Sequence, residues 1–197
     1  GMTEREIAYE IEKFFKENGA DGLAFETIVA SGKNSSKPHA VPTDKKIEAG
    51  DPITIDMGCK YKGYCSDMTR TIFAGYVPVQ MQKVYDLVLK NELQTLKEYK
   101  EGASIRVVSR MVENDFKLNG YDLIHSLGHG LGLEIHEIPY INGKNDSNLK
   151  ANMVVTNEPG IYIPGAFGIR IEDTVLITKS GCINLTKSDK NYIIIDK

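Results

Sequence analysis

The stretch His125-Ser-Leu-Gly-His-Gly-Leu-Gly-Leu-Glu-Ile-His-Glu137 constrains this chain more than any other. It holds three of the four histidines, His125, His129 and His136, interleaved with Gly128, Gly130 and Gly132. A spacing of four would align His125 and His129 on one face of a helix. The three glycines oppose that reading, because each weakens a helix and permits backbone angles that other residues avoid. The expectation is an irregular strand or loop that brings imidazoles and bare backbone up to a ligand. The plain alternative is a glycine-rich turn with incidental histidines.

Acidic hairpins flank this stretch on both sides. Ile53-Thr54-Ile55-Asp56-Met57 alternates apolar and polar residues, the pattern of a half-buried strand, and Met68–Ala74 forms a second such run. Tyr61-Lys62-Gly63 between them predicts a hairpin. A turn centred between Tyr61 and Lys62 places Asp56 directly opposite Asp67, and a slip of one residue would separate them. Downstream, Met153–Thr156 reads as a short strand leading to Asn157-Glu158-Pro159-Gly160. Pro164-Gly165 marks a turn, and Ile169–Val175 alternates as the returning strand. Centring that turn on Gly165 puts Glu158 opposite Glu172. Facing carboxylates repel, so such pairs call for water or for a cation between them. Each acid alone reads as a solvated surface charge. Two opposed pairs beside a histidine cluster point instead to a divalent-metal site. Oxygen-rich ligation with imidazole suits manganese, cobalt, iron or zinc, and the lack of cysteine at these positions argues against structural zinc. Four carboxylates neutralise two divalent ions.

The remaining elements are helical. Thr3-Glu4-Arg5-Glu6 is a capping box, with Ile7, Ile11, Phe14 and Phe15 as the apolar stripe behind it and Asn18-Gly19 as the stop. A strand is expected around Phe25–Ala30, followed by a polar loop over residues 31–44 that carries His39, by itself an unremarkable loop histidine. Pro78 opens a long helix with Met81, Val84, Tyr85, Val88, Leu89, Leu93 and Leu96 on its buried side. Ser104 caps the next, with Val107, Val108, Met111 and Val112 facing inward and Asn119-Gly120 at its end. The two halves share a plan, helix and strands ending in an acidic hairpin, without a residue-level repeat.

The 197 residues, 41% apolar and 26% charged, favour one domain with a real core. A net charge of −3 and the absence of a basic run give no case for nucleic acid. No apolar run reaches membrane-spanning length, and the N-terminus lacks a signal-peptide pattern. Gly1 before Met2 reads as a remnant of tag removal. Cys59, Cys65 and Cys182 fit no zinc spacing, and free cysteines imply a reducing, cytoplasmic setting.

Taken together, Asp56-Met-Gly, Tyr64-Cys-Ser-Asp67-Met-Thr-Arg-Thr, His125-x3-His129-x6-His136-Glu, Asn157-Glu158-Pro-Gly-Ile-Tyr and Arg170-Ile-Glu172-Asp closely resemble the pita-bread metallopeptidases. That family includes Xaa-Pro aminopeptidase, Xaa-Pro dipeptidase (prolidase) and methionine aminopeptidase. The resemblance implies an α+β pita-bread fold, two pseudo-symmetric halves with a curved, mainly antiparallel sheet backed by helices. It implies that Asp56, Asp67, His129, Glu158 and Glu172 bind two divalent ions, manganese first, with cobalt, zinc or iron as alternatives. His39, His125 and His136 become substrate-side groups, and Arg170 orients the carboxylates. Tyr-Cys-Ser-Asp-Met-Thr-Arg-Thr and Glu-Pro-Gly-Ile-Tyr are similar to the Xaa-Pro branch rather than to methionine aminopeptidase. Xaa-Pro members commonly carry an N-terminal domain, so residues 1–197 are expected to be the catalytic domain without it.

The implied chemistry is hydrolysis of the peptide bond preceding proline, in dipeptides or longer peptides, by a hydroxide bridging the two ions. Glu158 is expected to move the proton, His136 to stabilise the tetrahedral intermediate and His39 to hold the substrate. The rival readings are a methionine aminopeptidase, a non-metal enzyme on the same fold, and a binding module that keeps the fold without catalysis. A homodimer is compatible with the family, although no motif encodes it.

Overall fold

Helix α1 (Glu4–Glu17) begins where the capping box places it. The Thr3 hydroxyl accepts from the Glu6 amide, and the Glu6 carboxylate accepts in return from the Thr3 amide. The computed structural model describes residues 1–196. In chain order there follow β1 (Gly22–Leu23), β2 (Ile28–Ser31), a 3-10 turn (Gly32–Ser36), β3 (Pro52–Met57), β4 (Cys59–Tyr61), β5 (Tyr64–Cys65) and β6 (Met68–Ala74). Helices α2 (Val79–Glu98) and α3 (Ile105–Leu118) come next. The remaining strands are β7 (Gly128–Gly130), β8 (Glu137–Ile141), β9 (Val154–Asn157), β10 (Gly160–Ile163), β11 (Phe167–Arg170), β12 (Asp173–Ile177), β13 (Cys182–Asn184) and β14 (Ile194–Ile195).

Two principal sheets carry the α+β architecture. One has the order β14-β6-β3-β2 and the other β13-β12-β9-β7-β8; β1-β4-β5 and the largely buried pair β10-β11 form two smaller sheets. Among the described residues all strand pairings are antiparallel except β14 with β6. Ile7, Ala8 and Ile11 of α1 pack on Val29, Ile53 and Ile55 of the first sheet. A larger core forms where Val88 of α2 and Val108 and Phe116 of α3 meet Val155, Ile169 and Val175.

Some inward positions differ from the sequence expectation. Phe14 is 62% exposed, because the cluster under α1 involves only its first two turns. Val107 and Leu93 also face outward, while Asn91, Glu92 and Thr95 are the buried residues of the last turns of α2. Polar groups take that inner face because Glu92 meets Lys190, and Lys190 in turn meets Asp173. The strand expected at Phe25–Ala30 begins three residues later and ends one later, as β2.

The hairpins place the acids. Tyr61 pairs with Tyr64 around Lys62 and Gly63, both at positive φ, a tight turn one residue beyond the expected centre. Asp56 accordingly faces Thr69 across β3 and β6, not Asp67. The shift relative to the expected pairing is two residues, which keeps the same face and leaves Asp67 as a diagonal neighbour at the mouth of β6. In the second half the expected register holds through a strand break. Gly160 pairs with Arg170 and Asn157 with Asp173, so Glu158 and Glu172 oppose each other at the break. The returning strand is therefore two strands, β11 and β12, in different sheets.

Candidate metal centre

His129 lies on β7, the short strand between β8 and β9. Glycine at position 128 is required by close approach: a Cβ there would stand 2.2 Å from the Thr156 carbonyl of the neighbouring strand. The Thr156 hydroxyl accepts from the His129 amide at 3.0 Å and donates to Glu158 Oε1 at 3.0 Å, tying the histidine and the acid together. His129 Nδ1 donates to the Gly130 carbonyl at 3.0 Å, which leaves Nε2 as the free ring nitrogen. That nitrogen points at two carboxylates, 3.4 Å from Asp67 Oδ2 and 3.4 Å from Glu158 Oε1. A lone pair facing two anions requires a proton or a metal cation between them.

The electrostatics lead to the same conclusion. Burial pushes the Asp67 carboxyl up to about 6 despite the hydrogen bond from His129. Burial likewise raises Glu158 to about 7. Glu172 is driven well above the carboxylate range by burial and then by the charges of Asp67, Glu158 and Asp56. Burial draws His129 down, but the Asp67 hydrogen bond and the Glu158 charge more than offset it, so its net shift is upward. Among the described residues, Asp56 Oδ1 is buried without a hydrogen-bond partner. Ligand atoms of Asp67, His129 and Glu172 lie within 4.8 Å of one another. Hard oxygen donors, one imidazole and an orphaned carboxylate oxygen fit divalent cations.

Arg170 holds this anionic cluster from beneath. It is 4% exposed, and its guanidinium donates to Asp56 Oδ2 at 2.6 Å, to the Tyr162 hydroxyl at 2.6 Å and to the Thr69 hydroxyl at 3.0 Å. The Thr69 hydroxyl in turn donates to Glu172 Oε2 at 2.6 Å. One arginine thus sets the orientation of two acids on opposite halves.

The other histidines divide by environment. His125 Nδ1 donates to the Ser126 carbonyl, and Nε2 accepts from the Tyr162 hydroxyl at 3.0 Å. Burial pulls His125 down to about 4, so it is a neutral ring near neutral pH. His136 is exposed and stands edge-on to His129, with ring centroids 4.5 Å apart; burial, then the charges of His129 and His39, lower its pKa. His39, also exposed, lines the same cavity of about 850 Å³ as Asp56, Asp67, His129, Glu158 and Glu172. All nine residues singled out in the sequence therefore converge on one cavity. Sequence reasoning gave no role to Thr69, Thr156 or Tyr162, although Thr69 and Tyr162 stand inside the quoted motifs.

Residues 1–179 match Metallopeptidase family M24. The chain belongs to this family. As an M24 member it is 45% identical over 195 residues to the Xaa-Pro dipeptidase of Pyrococcus furiosus, an alignment covering 98% of this chain and 56% of that protein. The solved X-Pro aminopeptidase of Thermotoga maritima superposes with a TM-score of 0.96 at 43% identity, covering 99% of this chain and 56% of that one. The His350Ala aminopeptidase P of Escherichia coli superposes at 0.86 with 32% identity, covering 95% of this chain and 49% of that one. This M24 chain thus spans about half the length of the relatives it matches. Metallopeptidase membership implies divalent metal ions, and the donor set described above suits them. Among the described residues no helix is long and apolar enough to cross a membrane.

Proposed function

We propose that this protein hydrolyses the peptide bond preceding proline in Xaa-Pro dipeptides or peptides, as a domain with two divalent ions, manganese first among them. The observation that carries the reading is the convergence of Asp67 and Glu158 on His129 Nε2, with Asp56 Oδ1 left unpartnered beside them. Asp56 and Asp67 from the first half, and His129, Glu158 and Glu172 from the second, would hold the ions. When bound, the cations supply Lewis acidity toward the scissile carbonyl and make water a stronger acid.

The chain's own groups do the rest. Glu158 takes the proton from the attacking water and delivers it to the departing proline nitrogen. His136 donates a hydrogen bond to the developing oxyanion. His39 and His125 bound the substrate side of the cavity, and Arg170 keeps Asp56 and Tyr162 in place. Ala8, Tyr9, Phe25, Ile135 and Val41 add apolar side chains to the lining of the same cavity.

The test is an assay of protein loaded in turn with manganese, cobalt, zinc and iron, on Xaa-Pro dipeptides, longer Xaa-Pro peptides and Met-Ala peptides. Cleavage of Xaa-Pro bonds that is lost on chelation and restored by metal is the expected result. Cleavage of Met-Ala peptides alone would replace the reading with a methionine aminopeptidase, and metal binding without cleavage would make the chain a binding module.

A further inference from the structure

Glu4, the first residue of α1, is fully buried. Five hydrogen bonds converge on its carboxylate. Oε1 accepts from the Ser31 amide at 2.6 Å and the Ser31 hydroxyl at 2.8 Å. Oε2 accepts from Asn34 Nδ2 at 2.9 Å, the Thr43 amide at 2.9 Å and the Thr43 hydroxyl at 2.7 Å. Burial alone would raise this acid, but the donors reverse the shift and keep it ionised. The helix backbone adds two bonds to the same region, Glu4 N to the Lys45 carbonyl and Arg5 N to the Thr43 carbonyl.

Ser31 and Thr43 are the two feet of one chain segment, and His39 stands at its crown. The crown is tied separately to the second half of the site. The Gly168 amide donates to the Ser35 hydroxyl at 2.9 Å, and Arg170 donates to the Pro38 carbonyl at 3.2 Å. His39 itself is exposed, so the backbone of this segment decides where its ring stands.

We infer that Glu4 is a positioning residue: by joining the two feet of the 31–43 segment, its carboxylate sets the place of His39 over the cavity. A buried anion chosen only for stability would act on the whole fold, whereas this one closes a single loop onto a single helix terminus. The inference rests on the substrate-side role proposed for His39.

The test compares Glu4→Gln, His39→Ala and the double variant in the metal-loaded protein, with hydrogen exchange as a second readout. The glutamine amide keeps the size but turns a donor toward donors. The expected result is a KM for Xaa-Pro substrate raised roughly tenfold or more in Glu4→Gln, since small misplacements of substrate-holding groups cost on that scale. Metal content stays unchanged, exchange is faster over residues 37–43 but not over β3, and the double variant is no worse than His39→Ala alone. Additive losses in the double variant, or wild-type exchange over 37–43 in Glu4→Gln, would overturn it. Should Glu4→Gln fail to fold, Thr43→Val removes one donor while leaving the acid in place, and the same pattern is expected with smaller size. A wild-type protein inactive on Xaa-Pro peptides would instead refute the proposed function, and the exchange experiment would still decide whether Glu4 orders the segment.

Discussion

Asp67 Oδ2 stands 3.4 Å from His129 Nε2, and burial holds its carboxyl at about 6 in a site already crowded with acids. Replacing it with alanine removes a proposed ligand and also relieves repulsion on Asp56, Glu158 and Glu172. Asp67→Ala is therefore expected to lose metal and activity while its metal-free form melts no lower than wild type, as checked by elemental analysis and circular dichroism. Full metal content in that variant would refute the assignment. Glu158→Gln removes the proposed proton carrier, and kcat is expected to fall about 10²–10⁴-fold. Single-turnover rates at matched metal occupancy separate that loss from weaker metal binding. At this scale much was legible from sequence, because acids at hairpin positions and histidines among glycines are unusual in a bland surface. Thr69 and Thr156 were not legible: a strand threonine has the same appearance whether or not its hydroxyl meets a buried acid across 103 residues of chain, as Thr69 meets Glu172.

Strand β7 is only three residues long, yet it seats His129 between β8 and β9. Gly128→Ala would drive a Cβ into the Thr156 carbonyl, a backbone atom that cannot swing aside. The β7–β9 spacing must then widen, and the Thr156 hydroxyl that links His129 to Glu158 moves with it. The expected outcome is a loss of stability of about 1–3 kcal/mol by denaturant titration, the usual scale of overpacking. Metal affinity should weaken in parallel. Element types and the second hairpin's register were readable from alternation and turn residues. The first hairpin's register was not, since Tyr61-Lys62-Gly63 admits more than one turn centre, and only the positive φ of Lys62 and Gly63 selects one.

The site joins two halves of the molecule, and its charge makes their union depend on pH. Asp67 and Glu158 have folded-state values raised above the free carboxylates, to about 6 and about 7. The folded, metal-free protein thus binds protons more tightly than the unfolded chain, so their contribution favours folding below pH 4 and is lost as pH rises through 6 to 7. The melting temperature of chelated protein is expected to fall between about pH 4 and pH 7 and to level off above that, by an amount corresponding to a few kcal/mol. Saturating manganese should abolish most of that slope, and a slope unchanged by metal would contradict the placement of the ions. A second buried charge cluster fastens the C-terminal segment. Lys190 Nζ lies 3.4 Å from Glu92 and also meets Asp173, which Arg70 holds from the other side at 2.7 Å. The Tyr85 hydroxyl donates to the Lys190 carbonyl at 2.9 Å, and β14 pairs with β6 just beyond. Lys190→Met leaves two buried acids short of a partner and is expected to cost about 3–5 kcal/mol by chemical denaturation.

What the sequence determined by itself was local and chemical: the helices with their caps, most of the strands, and two hairpins carrying acids whose mutual repulsion calls for water or a cation. Periodicity and side-chain chemistry act within a few residues, so they can be read along a chain. Only the tertiary structure decided that Arg170 supports Asp56 across 114 residues, that Glu92 rather than Leu93 turns inward, and that Glu4 holds the segment bearing His39. Those outcomes depend on which donors arrive from distant parts of the chain to offset the cost of burying a charge, and no local pattern encodes that meeting.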